Sequence, residues 1–102
     1  MQENMQAAQS RLAKLLEGHE PTAGLYIRVH GDNLILGRQE PNGPNGELEN
    51  SDRVRLTLLS AATYGLSAKR HTGRWERTPF TGTMEEMVEI ILGCMQHLVA
   101  PD

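Results

Sequence analysis

The hydrophobic period of this chain changes once, sharply, near Pro79. Val54, Leu56 and Leu58 alternate with Arg53, Arg55 and Thr57, and Tyr64, Leu66 and Ala68 alternate with Gly65, Ser67 and Lys69. A two-residue period belongs to strands with one buried face. Beyond the change, apolar side chains fall at Met84, Met87, Val88, Ile91, Leu92, Met95, Leu98 and Val99, the spacing of a helix that buries one broad side. Charge divides with it. Arg53 to Arg77 holds six Lys/Arg and one acid, whereas Thr78 to Asp102 holds four acids and no Lys/Arg. Such a pattern predicts a basic antiparallel sheet with an acidic helix packed on it.

The rest of the chain fits around that pair. Met5, Ala8, Leu12, Leu15 and Leu16 give an amphipathic helix over about 4–17, stopped at Gly18 and Pro21. A helix this short is marginal alone, so its stripe must dock on the sheet, on the last helix or on a second copy. Leu25, Ile27 and Val29 alternate with Tyr26, Arg28 and His30, and Gly31-Asp32-Asn33 turns the chain into Leu34-Ile35-Leu36, a hairpin. A tandem Pro-Asn-Gly at 41–46, followed by Glu47, Glu49 and Asp52, predicts a solvated, mobile loop over 40–52. A short fifth strand is expected from Arg74 to Thr78, closed by Pro79. Thr83-Met84-Glu85-Glu86 has the form of a capping box, opening a helix over about 83–99. Ile90 and Cys94 widen its apolar face, which therefore needs cover on two sides.

The predicted fold class is α+β: an N-terminal helix, an antiparallel meander of four to five strands over about 24–79, and a C-terminal helix on one face of the sheet. One domain accounts for residues 1–102. With four aromatic residues in the whole chain, aliphatic side chains and methionines must supply the core, and a homodimer would relieve a thin one by covering more apolar area.

Chemistry-bearing patterns are sparse. Gly65-Leu66-Ser67-Ala68-Lys69 approaches a nucleophile elbow but ends in lysine and lies mid-strand, where that turn cannot form; Ser67 is expected as an exposed strand serine. Cys94 is expected as an inert, buried filler, and as the single cysteine it calls for no oxidising compartment. His19, His30, His71 and His97 are scattered singly, without metal-ligand spacing. Glu85 and Glu86 are explained by helix capping. The glycines at 43 and 46 lie among acids, which repel a nucleotide. A non-enzymatic protein without cofactor or metal is the expectation.

The one concentration of binding chemistry is basic. Alternation puts Arg28, His30, Arg53, Arg55 and Lys69 on the outer face of the sheet, and Arg70, His71, Arg74, Trp75 and Arg77 follow at a strand-turn-strand. Trp75, opposite in alternation to Arg74, is open to either side. Arginines and tryptophan are frequent at interface centres, so the first expectation is a homodimeric interaction protein that binds another protein through the sheet face or the helices. The alternative is a single-stranded nucleic-acid module, in which the cations follow phosphates and Trp75 or Tyr26 stacks a base. A net charge of −3 and a pI near 5.8 weigh against that alternative for the chain as a whole. The first residues carry no apolar signal core and no apolar run reaches membrane length, so a cytoplasmic protein without membrane association is expected.

Overall fold

A computed structural model describes residues 4–42, 44–70 and 72–100. The order of elements is α1 (Met5–Leu16), β1 (Tyr26–His30), β2 (Asn33–Asn42), β3 (Glu47–Ser60), β4 (Thr63–Lys69), β5 (Trp75–Gly82), α2 (Met84–Cys94) and α3 (Gln96–Val99). A single 3-10 turn, Glu20–Thr22, links α1 to the sheet. The five strands form one antiparallel meander in chain order. The α+β architecture read from the two hydrophobic periods is the one observed.

Each helix starts for a local reason. The Asn4 side chain accepts from the backbone N–H groups of Gln6 and Ala7. At α2, Thr83 Oγ1 accepts from Glu86 N–H at 3.2 Å while the Glu86 carboxylate accepts from Thr83 N–H at 2.9 Å, a complete capping box. The helix predicted over 83–99 breaks at Met95, whose ψ of 21° departs from helical geometry. That break turns the Leu98 and Val99 carbonyls toward the sheet, where Arg53 Nη1 and Arg38 Nε donate to them at 2.9 and 2.6 Å. Two guanidiniums thus satisfy the carbonyls that a helix end leaves open.

Across the sheet, Ile27, Leu36, Val54 and Ala68 stand opposite one another, as do Val29, Leu34, Leu56 and Leu66. This inner face meets Ala8, Leu12 and Leu16 of α1 and Met84, Met87, Val88 and Ile91 of α2 in one core. Val54 and Leu56 are fully buried and Leu66 nearly so. The second cover that α2 required is α1 of the same chain, which packs on it within that core. Cys94, expected to be buried, is exposed on the last turn of α2, because it lies off the buried line that runs through Met87, Ile91 and Met95.

Three strand boundaries differ from the sequence reading. The loop expected over 40–52 is a hairpin arm: β2 and β3 pair from Gly37↔Asp52 out to Asn42↔Glu47, and Pro44, Asn45 and Gly46 make the described part of its turn. Gly46 takes φ of 69°, a left-handed conformation that glycine adopts without strain. β5 continues through Pro79 to Gly82 because its register shifts between Gly65 and Ser67, and proline is tolerated at a bulged sheet edge.

Candidate functional site

The outer face of the sheet is built from three cross-strand rows. His30, Asn33, Thr57, Gly65 and Thr81 form the first; Arg28, Ile35, Arg55, Ser67 and Arg77 form the second. The third holds Tyr26 and Gly37, then Asp52, and Lys69 paired with Trp75. Of the predicted face, Arg28, His30, Arg55, Lys69, Trp75 and Arg77 are brought together here. Trp75 therefore lies on the outer side with Lys69, not in the core.

Three predicted residues stand elsewhere. Arg53 is the extra residue of a bulge, since Leu36 pairs with Val54 but Gly37 pairs with Asp52. A bulge breaks strict alternation. It sends Arg53 toward the helices, where it bonds the Leu98 carbonyl and pairs with Glu40. Arg70 pairs with Glu76, which stands opposite Ala68 on the inner side at the sheet edge. Arg74 is exposed in the turn before β5, and its carbonyl accepts from Arg70 N–H at 2.8 Å. His71 lies outside the described residues.

Asp52 organises one end of the face. Arg28 Nη2 donates to it at 2.6 Å, Tyr26 Oη donates to its other oxygen, and Lys69 Nζ lies 3.9 Å away. The Arg28 hydrogen bond, chiefly, holds the Asp52 carboxyl below its ordinary value against the opposing effect of burial. Burial first, then the bond to Asp52 and its charge, push the Tyr26 phenol well above its usual range. Tyr26 reaches Asp52 across Gly37, where a Cβ would sit 2.3 Å from Tyr26 Oη and 2.2 Å from the Ser51 carbonyl oxygen. Only glycine leaves that passage open. Asp52 is one of several acids near the face arginines in sequence, and its role as a hub is not legible there, because the bulge that brings it to the face is invisible in the alternation.

Beside this hub lies a different arrangement. The Arg55 guanidinium carbon is 4.7 Å from the Trp75 ring centroid, and Lys69 Nζ is 5.6 Å from it, both within cation–π range. Arg55 Nε is buried and has no hydrogen-bond partner. Among the described residues no carboxylate pairs with Arg55 or Arg77. Ile35 and Ser67, between the guanidinium-bearing positions, are only 4% and 3% exposed, so the long cationic side chains roof the face rather than extend from it. Ser67, expected to be exposed, is covered for that reason. Four cations, Arg28, Arg55, Lys69 and Arg77, thus share a surface with one described carboxylate, Asp52.

Among the described residues no cluster of His, Cys, Asp and Glu is arranged to hold a metal ion, and no helix is long and apolar enough to cross a membrane. Compared with family models, with curated proteins and with solved structures, the chain matches none.

Proposed function

We propose that the protein is a non-enzymatic binding module whose outer sheet face takes the acidic surface of a partner protein. The observation that carries this reading is Arg55: stacked on Trp75 and lacking a carboxylate of its own, it is a held guanidinium ready for a carboxylate. A planar fork fixed in advance loses less freedom when it forms a bidentate pair. Arg77 and Lys69 flank it and raise the local positive potential, which steers acidic surfaces toward the face.

A phosphate backbone would meet the same four cations, and that excess favours single-stranded nucleic acid as a second reading. Base stacking is the weaker part of it. The Trp75 ring is engaged by Arg55 and Lys69, and the Tyr26 hydroxyl is bound to Asp52, so neither aromatic offers a clear platform. Self-association belongs to the proposal as well, and with one cysteine, free and exposed, the reducing cytoplasm is its proposed setting.

Trp75 is the chain's only tryptophan, so its emission reports the face directly. Titration with a polyglutamate peptide is expected to change that emission, and Arg55→Glu with Arg77→Glu to abolish the change. A single-stranded oligonucleotide is expected to bind more weakly than the peptide at matched charge and salt. Tighter, steeply salt-dependent oligonucleotide binding would reverse the order of the two readings. No response to either polyanion would remove both.

A further inference from the structure

The β2–β3 arm is supported on neither side. β1 pairs with β2 only as far as Gly37, and β4 pairs with β3 only from Val54 on. From Arg38↔Ser51 to Asn42↔Glu47 the two strands run alone. A two-stranded ribbon is marginal in water, and open edges invite another strand.

The two edges of the arm are not equivalent. Pro41 has no N–H, so its pairing with Leu48 must be of the kind in which neither residue bonds the other. Alternation along the ladder then makes Gln39↔Asn50 and Gly37↔Asp52 pairs of the same kind. Leu48, Asn50 and Asp52 therefore point their N–H and C=O groups away from β2, and no described backbone group bonds them there. The β2 edge has a missing donor at Pro41, a common block to edge pairing. The β3 edge has none. Leu48 on that edge is 62% exposed, more than any other large apolar side chain among the described residues.

Shape identifies the occupant. Because β4 ends at Lys69 beside Asp52 while β3 continues to Glu47, the sheet has a step. A cleft of about 650 Å³ adjoins it, reaching from Glu40 and Pro41 of β2 past Asn50 and Asp52 to Lys69 and Arg70. A step in a sheet edge is complementary to itself under a two-fold rotation, the commonest symmetry of dimers. Seven residues, Glu47 to Arg53, span roughly 23 Å in extended form, enough for one arm to lie along another.

We propose that two copies of the chain join through their β3 edges, antiparallel from Glu47 to Arg53 and centred on Asn50, each arm filling the step of the other. The register is also electrostatically matched: it brings the partner's Glu47 to the level of Arg53, beside Lys69 and Arg70, so an acidic tip enters the basic end of the cleft. The other contact exposed on the arm is apolar, through Leu48. This interface is an edge that shares Lys69 with the Arg55–Trp75 surface and leaves Arg55 and Arg77 outside it, so it goes beyond the sheet-face reading.

Sedimentation velocity of the full chain over a range of concentrations tests the proposal. The wild-type protein is expected to dimerise at micromolar concentration. Asn50→Pro removes one outward N–H per copy, keeps the backbone bonds to β2 and loses only the Gln39–Asn50 side-chain bond across the arm; it should weaken the dimer by roughly thirtyfold, two hydrogen bonds' worth. Leu48→Lys, a charge on the edge, should weaken it while leaving the backbone intact and so guards against misfolding of the proline variant. In a Cys94→Ser background, Asn50→Cys should form a covalent dimer on oxidation, since opposed residues at the axis lie within disulfide reach, whereas Val29→Cys on the β1 edge should not. A wild-type chain that remains monomeric at 100-fold higher (roughly 100 µM) concentration, or a dimer indifferent to both edge variants, would overturn it. Either result would leave polyglutamate binding at Arg55 and Arg77 to be judged separately.

Discussion

β3 is one continuous strand in two settings. From Val54 to Leu58 it lies between β2 and β4, and every second side chain is buried in the core. From Glu47 to Ser51 it has one neighbour, and its side chains are exposed or half-buried. The backbone geometry is the same; the support is not. In the body, inward residues lose their contact with water between sheet and helices. In the arm, order rests on one ladder of hydrogen bonds, with Arg38 and Arg53 tying its base to the chain end through Val99 and Leu98. Strand structure and burial are thus separable, and a surface left unburied is free to serve another molecule.

The largest effect expected from this contrast comes from equal truncations at its two ends. Leu56→Ala in the body should lower unfolding free energy by about 2–5 kcal/mol in urea denaturation. Gly37→Ala, at the junction, should cost about 1–3 kcal/mol, because the added Cβ meets the Ser51 carbonyl and Tyr26 together. Loss of the Tyr26–Asp52 bond should accompany it, seen as a phenol that titrates nearer its ordinary range. Thr83→Ala should cost about 1 kcal/mol through the lost cap of α2, whichever state the arm is in. Leu48→Ala should change the dilute monomer by no more than about 0.5 kcal/mol. A Leu48 effect as large as that of Leu56 would mean that the arm is packed against something in the monomer.

Acid and alkali both weaken the junction, each through a different group. The Asp52 carboxyl is held low, first by the Arg28 bond, so its contribution is complete above the ordinary value near 3.9 and is lost as pH falls through the folded value. The Tyr26 phenol is held high, first by burial. Its contribution is complete below the ordinary value near 10 and is lost as pH rises toward the folded value. Asp52→Asn should therefore flatten the acid limb of the stability curve and let Tyr26 ionise earlier on the alkaline limb, both followed by denaturation at stepped pH.

Much of the body was legible because local pattern and tertiary role agree there. Val54, Leu56, Tyr64 and Leu66 alternate because one face is buried, and the Thr83–Glu86 capping box needs four residues only. The arm is not legible for the opposite reason. Prolines and Asn-Gly pairs mark a turn, but turn signals do not say how far the flanking strands extend; that depends on partner strands far away in sequence. Alternation alone puts Arg53 on the outer face; as the extra residue of a bulge it resets the alternation, turns inward itself and brings Asp52 to the outer side. The helix break at Met95 goes with the bonds that Arg38 and Arg53, distant in sequence, donate to the Val99 and Leu98 carbonyls, which a helical period cannot express. Ser67 is covered by neighbours from other strands, a matter of side-chain length rather than of its own position.

Amide hydrogen exchange followed residue by residue, at a dilute and a concentrated protein sample, tests the division of β3 most directly. Leu56 should exchange slowly at both concentrations, whereas Leu48 and Asn50 should exchange fast when dilute and slow when concentrated, as their outward N–H groups find a second copy. Equal protection of Asn50 and Leu56 in the dilute sample would contradict the account, since the arm would then be as firmly held as the body.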